Sequence, residues 1–334
     1  MSYLTYATRE QVVAASDVKA SAYYFDTVDR LLRVASRTIE AKLHRKFYPT
    51  IATRLQEWPD RGSFWLKDDL LSVSSLTIDG ATVTGYVLED RFYGAPYSRI
   101  DFDDANIASG DEVTIEGVWG YCNDTESCGT LASAISSTSA TTAVVSDASL
   151  VGVGDQLLID SERMVVTDRT YSTTGTTLGS DVAANAATVT IPVADGTAVK
   201  EGETILIDSE YMKVLSVVGN NLTVKRAVDG SVLATHSSGA TASAARTLTV
   251  VRADAGTTAA THSLSAAISK NVPPALIREL CIAEAQYLMG QEQAAWNLTI
   301  GEGEGQRESS GKSIAGIRRE AVMLYGRGRY GRAI

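Results

Sequence analysis

An eleven-residue stretch occurs twice in this chain, and the duplication limits what its middle can fold into. Gly154-Asp155-Gln156-Leu157-Leu158-Ile159-Asp160-Ser161-Glu162-Arg163-Met164 returns 48 residues later as Gly202 to Met212, with Ile-Asp-Ser-Glu-x-Met identical in both copies. A match of that length marks a duplicated structural unit. A second motif also repeats, at an offset of 26: Leu222-Thr223-Val224-Lys225-Arg226-Ala227 leads to Gly230 and Ala234-Thr235-His236-Ser237, and Leu248-Thr249-Val250-Val251-Arg252-Ala253 leads to Gly256 and Ala260-Thr261-His262-Ser263. The order is first half, first half, second half, second half. Nesting explains it: a complete second unit, about 188–246, is inserted within a first unit spanning about 143–264. A tandem array with a truncated third unit is the alternative. Nesting requires 143–178 to share a sheet with 247–264.

Composition sets the limits of this region. From 123 to 269 the chain is rich in Ala, Ser, Thr, Val and Gly, and Tyr171 and Tyr211 are its only aromatics. Strand-like runs alternate with Gly, Asp and Ser turns, which predicts an all-β insertion. The flanks differ. Thr8 and Gln11 stand at capping-box spacing before a short helix, Arg9 to Ala15. Phe25, Val28, Leu32, Ala35, Ile39 and Leu43 step by three and four, predicting a helix over 21–43 that Pro49 keeps from continuing. Thr53–Trp58, Ser63–Leu66, Val73–Ile78, Val83–Leu88 and Val113–Val118 read as strands of a small antiparallel sheet. Pro273-Pro274 opens a helix to about Trp296. Glycine-rich residues 301–311 form a linker, and a last helix covers about 313–325. The fold class is therefore α+β: a small helical and antiparallel-sheet body formed by both chain ends, 1–122 and 270–334, with the β-repeat region 123–269 inserted.

Each chemical motif has a plainer explanation beside it. Asp160/Glu162 and Asp208/Glu210 are candidate paired acids or calcium ligands, but the spacing favours a two-residue hairpin turn with exposed acids. His236 and His262 occupy equivalent repeat positions without a second ligand at metal spacing, so each is read as hydrogen-bonded into a turn. Gly305 to Lys312-Ser313 has the wrong glycine spacing for a phosphate loop. Gly326-Arg327-Gly328-Arg329-Tyr330-Gly331 has no helix after it to hold a pyrophosphate. Asp101, Asp103 and Asp104 lack the glycine and glutamate of a calcium loop. No catalytic residue, cofactor site or metal site is expected, and no enzyme.

Net charge is −10 and uneven: −5 over 1–122, −7 over 123–269 and +2 over 270–334. An acidic body with a basic tail argues against wrapping nucleic acid. It suits a surface past which DNA slides without sticking, and a tail that docks on an acidic partner. Three scattered cysteines predict no disulfide framework. Neither a signal peptide nor a membrane span is evident, which predicts synthesis in the cytoplasm.

The two ends resemble the head-to-tail connector adaptors of long-tailed bacteriophages. Tyr6-Ala7-Thr8-Arg9-Glu10-Gln11-Val12 is similar to that family's opening. Ala35-Ser36-Arg37-Thr38-Ile39-Glu40 and Arg45-Lys46-Phe47-Tyr48-Pro49 are similar to the end of its first long helix, and Leu66 to Gly80 to its strand pair. Val113-Thr114-Ile115-Glu116-Gly117-Val118-Trp119-Gly120-Tyr121 would normally run almost directly into Val272-Pro273-Pro274-Ala275-Leu276-Ile277; the insertion separates them here. The resemblance implies a homo-oligomeric ring, usually twelve-fold, in the virion neck. Such a ring lies beneath the portal protein, extends the DNA channel without sequence-specific binding, and receives a stopper or tail-terminator protein. It further implies a portal-binding C-terminal segment, which carries over to Ile317, Arg318, Arg319, Tyr325, Arg327, Arg329 and Tyr330. Ile317, Val322, Met323 and Leu324 are expected to give the last helix an apolar side. The alternative is a baseplate or capsid-decorating protein that binds carbohydrate through its repeats, which calls for an exposed aromatic platform.

Overall fold

The computed structural model describes residues 3–16, 25–58, 63–90, 94–102, 107–293, 299–300, 307–308 and 311–327. It is an α+β chain with two large antiparallel sheets. Four helices, α1 (Arg9–Ala14), α2 (Phe25–Leu43), α3 (Ala275–Gln293) and α4 (Gly311–Tyr325), share one core. The capping box forms as expected: Gln11 N donates to Thr8 Oγ1 at 3.2 Å, and Thr8 N donates to Gln11 Oε1 at 3.0 Å. On α2, Val28, Leu32, Ala35, Ile39 and Leu43 are buried against Ile277, Leu280 and Cys281 of α3 and Ala321 of α4. Residues 4–48 and 277–321, from opposite ends of the sequence, thus meet in a single core. Phe25 departs from the predicted buried stripe. It is exposed at the first turn of α2, with the Arg9 guanidinium 4.9 Å over its ring. Among the described residues, no helix is long and apolar enough to cross a bilayer.

The smaller sheet contains β1 (Thr50–Glu57), β2 (Phe64–Ile78), β3 (Ala81–Thr82), β4 (Tyr86–Glu89), β5 (Tyr97–Phe102) and β6 (Glu112–Trp119), in the order β1-β6-β2-β5-β4 with β3 on β2. Its core holds Phe64, Leu66, Leu76, Ile100, Val113, Ile115 and Trp119. The two strands expected at 63–66 and 73–78 are one strand. Lys67-Asp68-Asp69 reads as a break, yet Asp69 is buried between Arg45 and Arg327 and the strand runs through it. Strand β5 was not predicted, because Ser, Arg and Asp interrupt its apolar residues. The 83–88 strand begins only at Tyr86.

The larger sheet contains β7 (Thr125–Thr130), β8 (Thr142–Val144), β9 (Gln156–Ile159), β10 (Glu162–Thr177), β11 (Thr190–Pro192), β12 (Thr204–Ile207), β13 (Glu210–Val218), β14 (Asn221–Lys225), β15 (Thr241–Val251) and β16 (Ala267–Asn271). Its order is β11-β14-β13-β12-β15-β10-β9-β16-β7, with β8 on β15. Strand β10 runs along β15 from Val165↔Val251 to Thr177↔Thr241, and Val144 of β8 pairs with Thr247. Residues 143–178 and 247–251 therefore lie in one sheet. Two apolar cores flank it. One draws on 128–166 and 248–268, the other on 178–224 and Ala242. β7 and β16 pair with each other where the region leaves the body.

The first core lies against the helical body. Arg9 N donates to Val153 O at 3.1 Å, and Val153 N to Glu10 Oε2 at 2.9 Å. Arg169 reaches Glu10 at 3.1 Å, and Val165 packs into the helical core. Gly154 has φ +104°, and a Cβ there would lie 2.0 Å from Thr5 Oγ1, so the chains touch backbone to side chain. All three cysteines are buried and free; burial pushes the thiols up, to about 11 for Cys122 and Cys281 and about 12 for Cys128.

Candidate functional site

Helix periodicity decides which C-terminal side chains are available. Residues 314, 317, 321 and 325 fall on one stripe of α4. Ile314 and Ala321 are buried there, and Ile317 and Tyr325 pack at the margin of the same core. The Tyr325 ring stands edge-on to Phe47 at 5.6 Å and to Tyr121 at 5.4 Å. Arg318 grips Glu284 of α3 through two hydrogen bonds of 2.6 Å. Arg327 N donates to Leu43 O at 3.0 Å, supplying one of the donors that the end of α2 lacks. Its guanidinium lies 3.4 Å from Asp69 and donates to Leu66 O. Burial pushes the Asp69 carboxyl up, and Arg45 and Arg327 pull it only part of the way back.

Ile317, Arg318, Tyr325 and Arg327 are thus brought together as anchors to the body of the same chain. Arg319 is exposed, its Nε donating to Ala315 O at 3.3 Å. Arg329 and Tyr330 lie outside the described residues. The expected apolar side is divided: Ile317 faces inward, while Val322, Met323 and Leu324 are 51%, 85% and 63% exposed. Three consecutive apolar side chains stand in solvent on a helix whose other side is fixed.

The repeats build a second arrangement, twice. A tight turn between β9 and β10 places Asp160 at φ 53°, and the matching turn between β12 and β13 places Asp208 at φ 51°. Glu162 and Glu210 follow as the first residues of β10 and β13, fully buried. Arg252 reaches Glu162 by two hydrogen bonds of 2.6 Å; Arg226 reaches Glu210 at 2.9 and 2.6 Å. Glu162 also accepts from the amides of Ala253 (3.0 Å) and Ala260 (2.9 Å), and Glu210 from those of Ala227 (3.0 Å) and Ala234 (3.0 Å). Ala253 and Ala227 are left-handed, at φ 54° and 51°, a conformation that alanine adopts only at a cost. His262 bridges Asp160 (2.8 Å) and Glu162 (2.9 Å); His236 bridges Asp208 (2.7 Å) and Glu210 (2.9 Å). The contacts run in nested order, Glu162 with 252 and 262 around Glu210 with 226 and 236.

This corrects the expectation of exposed acids. Asp160 and Asp208 are 65% and 59% exposed, but both glutamates are sealed. The histidines do more than sit in turns, since both ring nitrogens are engaged. The arginines were passed over, although they recur at the 26-residue offset together with the histidines; that shared offset was the available signal.

With every polar atom of the glutamates, arginines and histidines committed inward, the arrangement acts as a latch. Burial alone would push the Glu162 carboxyl up. Arg252, the Ala260 amide, His262 and the Ala253 amide outweigh it and hold it at about 2. Glu210 is likewise held at about 2 against burial by Arg226, His236 and two amides. A carboxyl lowered by folding contributes stability above its ordinary value of about 4.5 and loses it as pH falls towards 2. Each latch should therefore lose up to about 3 kcal/mol across that window. Urea unfolding followed at pH 6, 4 and 3 checks this; a midpoint unchanged down to pH 3 would count against charged latches.

Tyr171 and Tyr211 also meet, with ring centroids 5.2 Å apart and planes tilted by 39°. Both are half-buried and lean on each other.

Fold and site together define an α+β protein in which both copies of the repeated segment carry a buried Arg–Glu–His latch and whose last helix exposes three consecutive apolar side chains. Comparison with known proteins finds no matching family model, no matching curated protein and no matching solved structure.

Proposed function

We propose that this chain is a structural, non-enzymatic connector adaptor of a tailed phage. In this reading it forms a ring beneath the portal, joins the head to a stopper or tail-terminator protein, and lets DNA through its channel. The observation that carries the reading is the exposed apolar last turn of α4. Arg318, Tyr325 and Arg327 hold the helix against the body, so Val322, Met323 and Leu324 are presented without further ordering, as a preorganised docking surface requires. The resemblance of the chain ends to connector adaptors supplies the partner, the portal. The β-region 123–269 is then two units, the second nested in the first, with the latches closing each. The carbohydrate-binding alternative has less support, because Tyr171 and Tyr211 are spent on each other.

The direct test is a cryo-EM reconstruction of the portal vertex of the source virion. The expected density is a ring of this chain between portal and tail, with α4 against the portal; density on a baseplate or capsid surface would reject the reading. Removing 312–334 is a poor discriminator, since it also strips Ile314, Ala321 and Tyr325 from the core. Met323→Asp combined with Arg319→Glu leaves those residues in place. It should abolish portal binding with native circular dichroism retained, and unchanged binding would exclude α4.

A further inference from the structure

The ring reading leaves open which surfaces of neighbouring copies meet, and two faces of this chain answer each other. The first is the solvent face of the smaller sheet. On β1, Ile51, Thr53, Leu55 and Glu57 alternate outward, and in register beside them on β6 stand Val118, Glu116, Thr114 and Glu112. Glu57 and Glu112 are directly opposite each other, a like-charge pair that weakens a sheet unless a cation neutralises it. Acids elsewhere in the body have a cation: Asp29 has Arg9, Glu40 has Arg37, Asp69 has Arg45, and Glu284 has Arg318. Glu57, Glu112 and Glu116 form no ion pair among the described residues. Leu55, in the middle of this face, is 55% exposed.

The second face is the outer stripe of α2. Arg30, Arg33 and Val34 stand at helical spacing i, i+3 and i+4, away from the core residues of the same helix, whereas Arg37 at i+7 turns back to Glu40, the Tyr48 hydroxyl and Leu4 O. Val34 is 43% exposed. Arg33 lies over the Tyr3 ring at 5.5 Å and forms no ion pair among the described residues. Arg30 has only a surface pair with Glu292, at 2.8 Å, which is worth little in water. Among the described residues no ion pair joins the two faces within one chain, and Arg33, Glu57, Glu112 and Glu116 are left for another molecule to match.

We propose that the α2 stripe of one copy docks on the outer face of β1 and β6 of the next, with Val34 against Leu55 and Arg30 and Arg33 over Glu57, Glu112 and Glu116. The proposal rests on the ring reading and specifies its contact. Because the faces are unlike, the contact is head-to-tail and its repetition closes a ring or extends a filament.

Charge exchange tests it on the full-length protein by sedimentation velocity in low salt. Arg30→Glu/Arg33→Glu and Glu112→Lys/Glu116→Lys should each raise the concentration needed for assembly about 30-fold. Mixed in equal amounts, the two variants should assemble as readily as the wild type, because each reversed face then meets its complement. Recovery on mixing also shows that both variants are folded. The proposal is overturned if either variant alone assembles like the wild type, if the mixture stays apart, or if the wild type remains monomeric at millimolar concentration. None of those outcomes touches the adaptor reading, which the portal-vertex reconstruction decides separately.

Discussion

Replacing Glu162 with alanine should unfold the outer β-unit while leaving the inner one folded. The substitution leaves the Arg252 guanidinium, only 7% exposed, without its carboxylate, and takes from His262 one of its two partners. Stranding a buried charge in this way costs about 3–5 kcal/mol. The equivalent Glu210→Ala strands Arg226, 3% exposed, and should cost a similar amount at its own site. The consequences differ because of the order of the chain. Glu210 closes on residues 16 and 26 positions away, whereas Glu162 closes on residues 90 and 100 positions away, across the whole inner unit. Closing the longer loop from an unfolded chain costs about 1.5 kcal/mol more, unless the inner unit has already folded and drawn its ends together. The inner unit therefore supports the outer one, and not the reverse. Native-state hydrogen exchange separates the cases. In Glu162→Ala, protection should be lost for 157–166 and 248–250 and kept for 205–207 and 222–224. In Glu210→Ala, both sets should weaken. Equal loss of both sets in Glu162→Ala would refute the dependence.

The duplication was legible because it is a matter of identity and spacing, and spacing alone suggested nesting beside a tandem array. The latch was not legible as a unit. Asp160, Glu162, Arg252 and His262 are separated by up to 102 residues, and read singly each has an ordinary explanation. Only the common displacement of Arg and His between the copies ties them together, and it says nothing about which acid they meet. The helices were read well where one face is apolar, as on α2. On α4, Val322, Met323 and Leu324 are as apolar as Ile317, and Leu324 lies within about 20° of Ile317 around the helix, so neither composition nor angular position separates a side chain that packs from one that waits for a partner; the tertiary contacts do. The basic character of the C-terminal segment misled in the same way. Arg318 and Arg327 read as a charged arm, but each meets a buried carboxylate, Glu284 or Asp69, whose position is set by the tertiary fold.

How firmly the β-region is fixed to the helical body can be measured by one substitution made at two equivalent places. Gly154 and Gly202 occupy the same position in the two copies, and both have positive φ, +104° and +82°. Alanine at either should cost about 1–2 kcal/mol for its backbone alone. Their surroundings differ. A Cβ on Gly154 would sit 2.0 Å from Thr5 Oγ1, which itself donates to Ala7 O at 2.7 Å, whereas on Gly202 the nearest atom is Ser149 Cβ at 3.1 Å. Gly154→Ala should therefore be the more destabilising by roughly 1–3 kcal/mol, and it should open the segment 4–10 to proteolysis, since that segment is held between the helical core and residues 152–154. Adding Thr5→Ala removes the hydroxyl and leaves Ala7 O at 3.3 Å and the residue-5 Cβ at 3.4 Å, no closer than the 3.1 Å contact at Gly202. The double variant should return to within a kcal/mol or so of Gly202→Ala. Equal costs at the two glycines, or no rescue by Thr5→Ala, would mean that the Thr5–Gly154 contact adds nothing to the hold that Arg9, Glu10 and Val165 already provide.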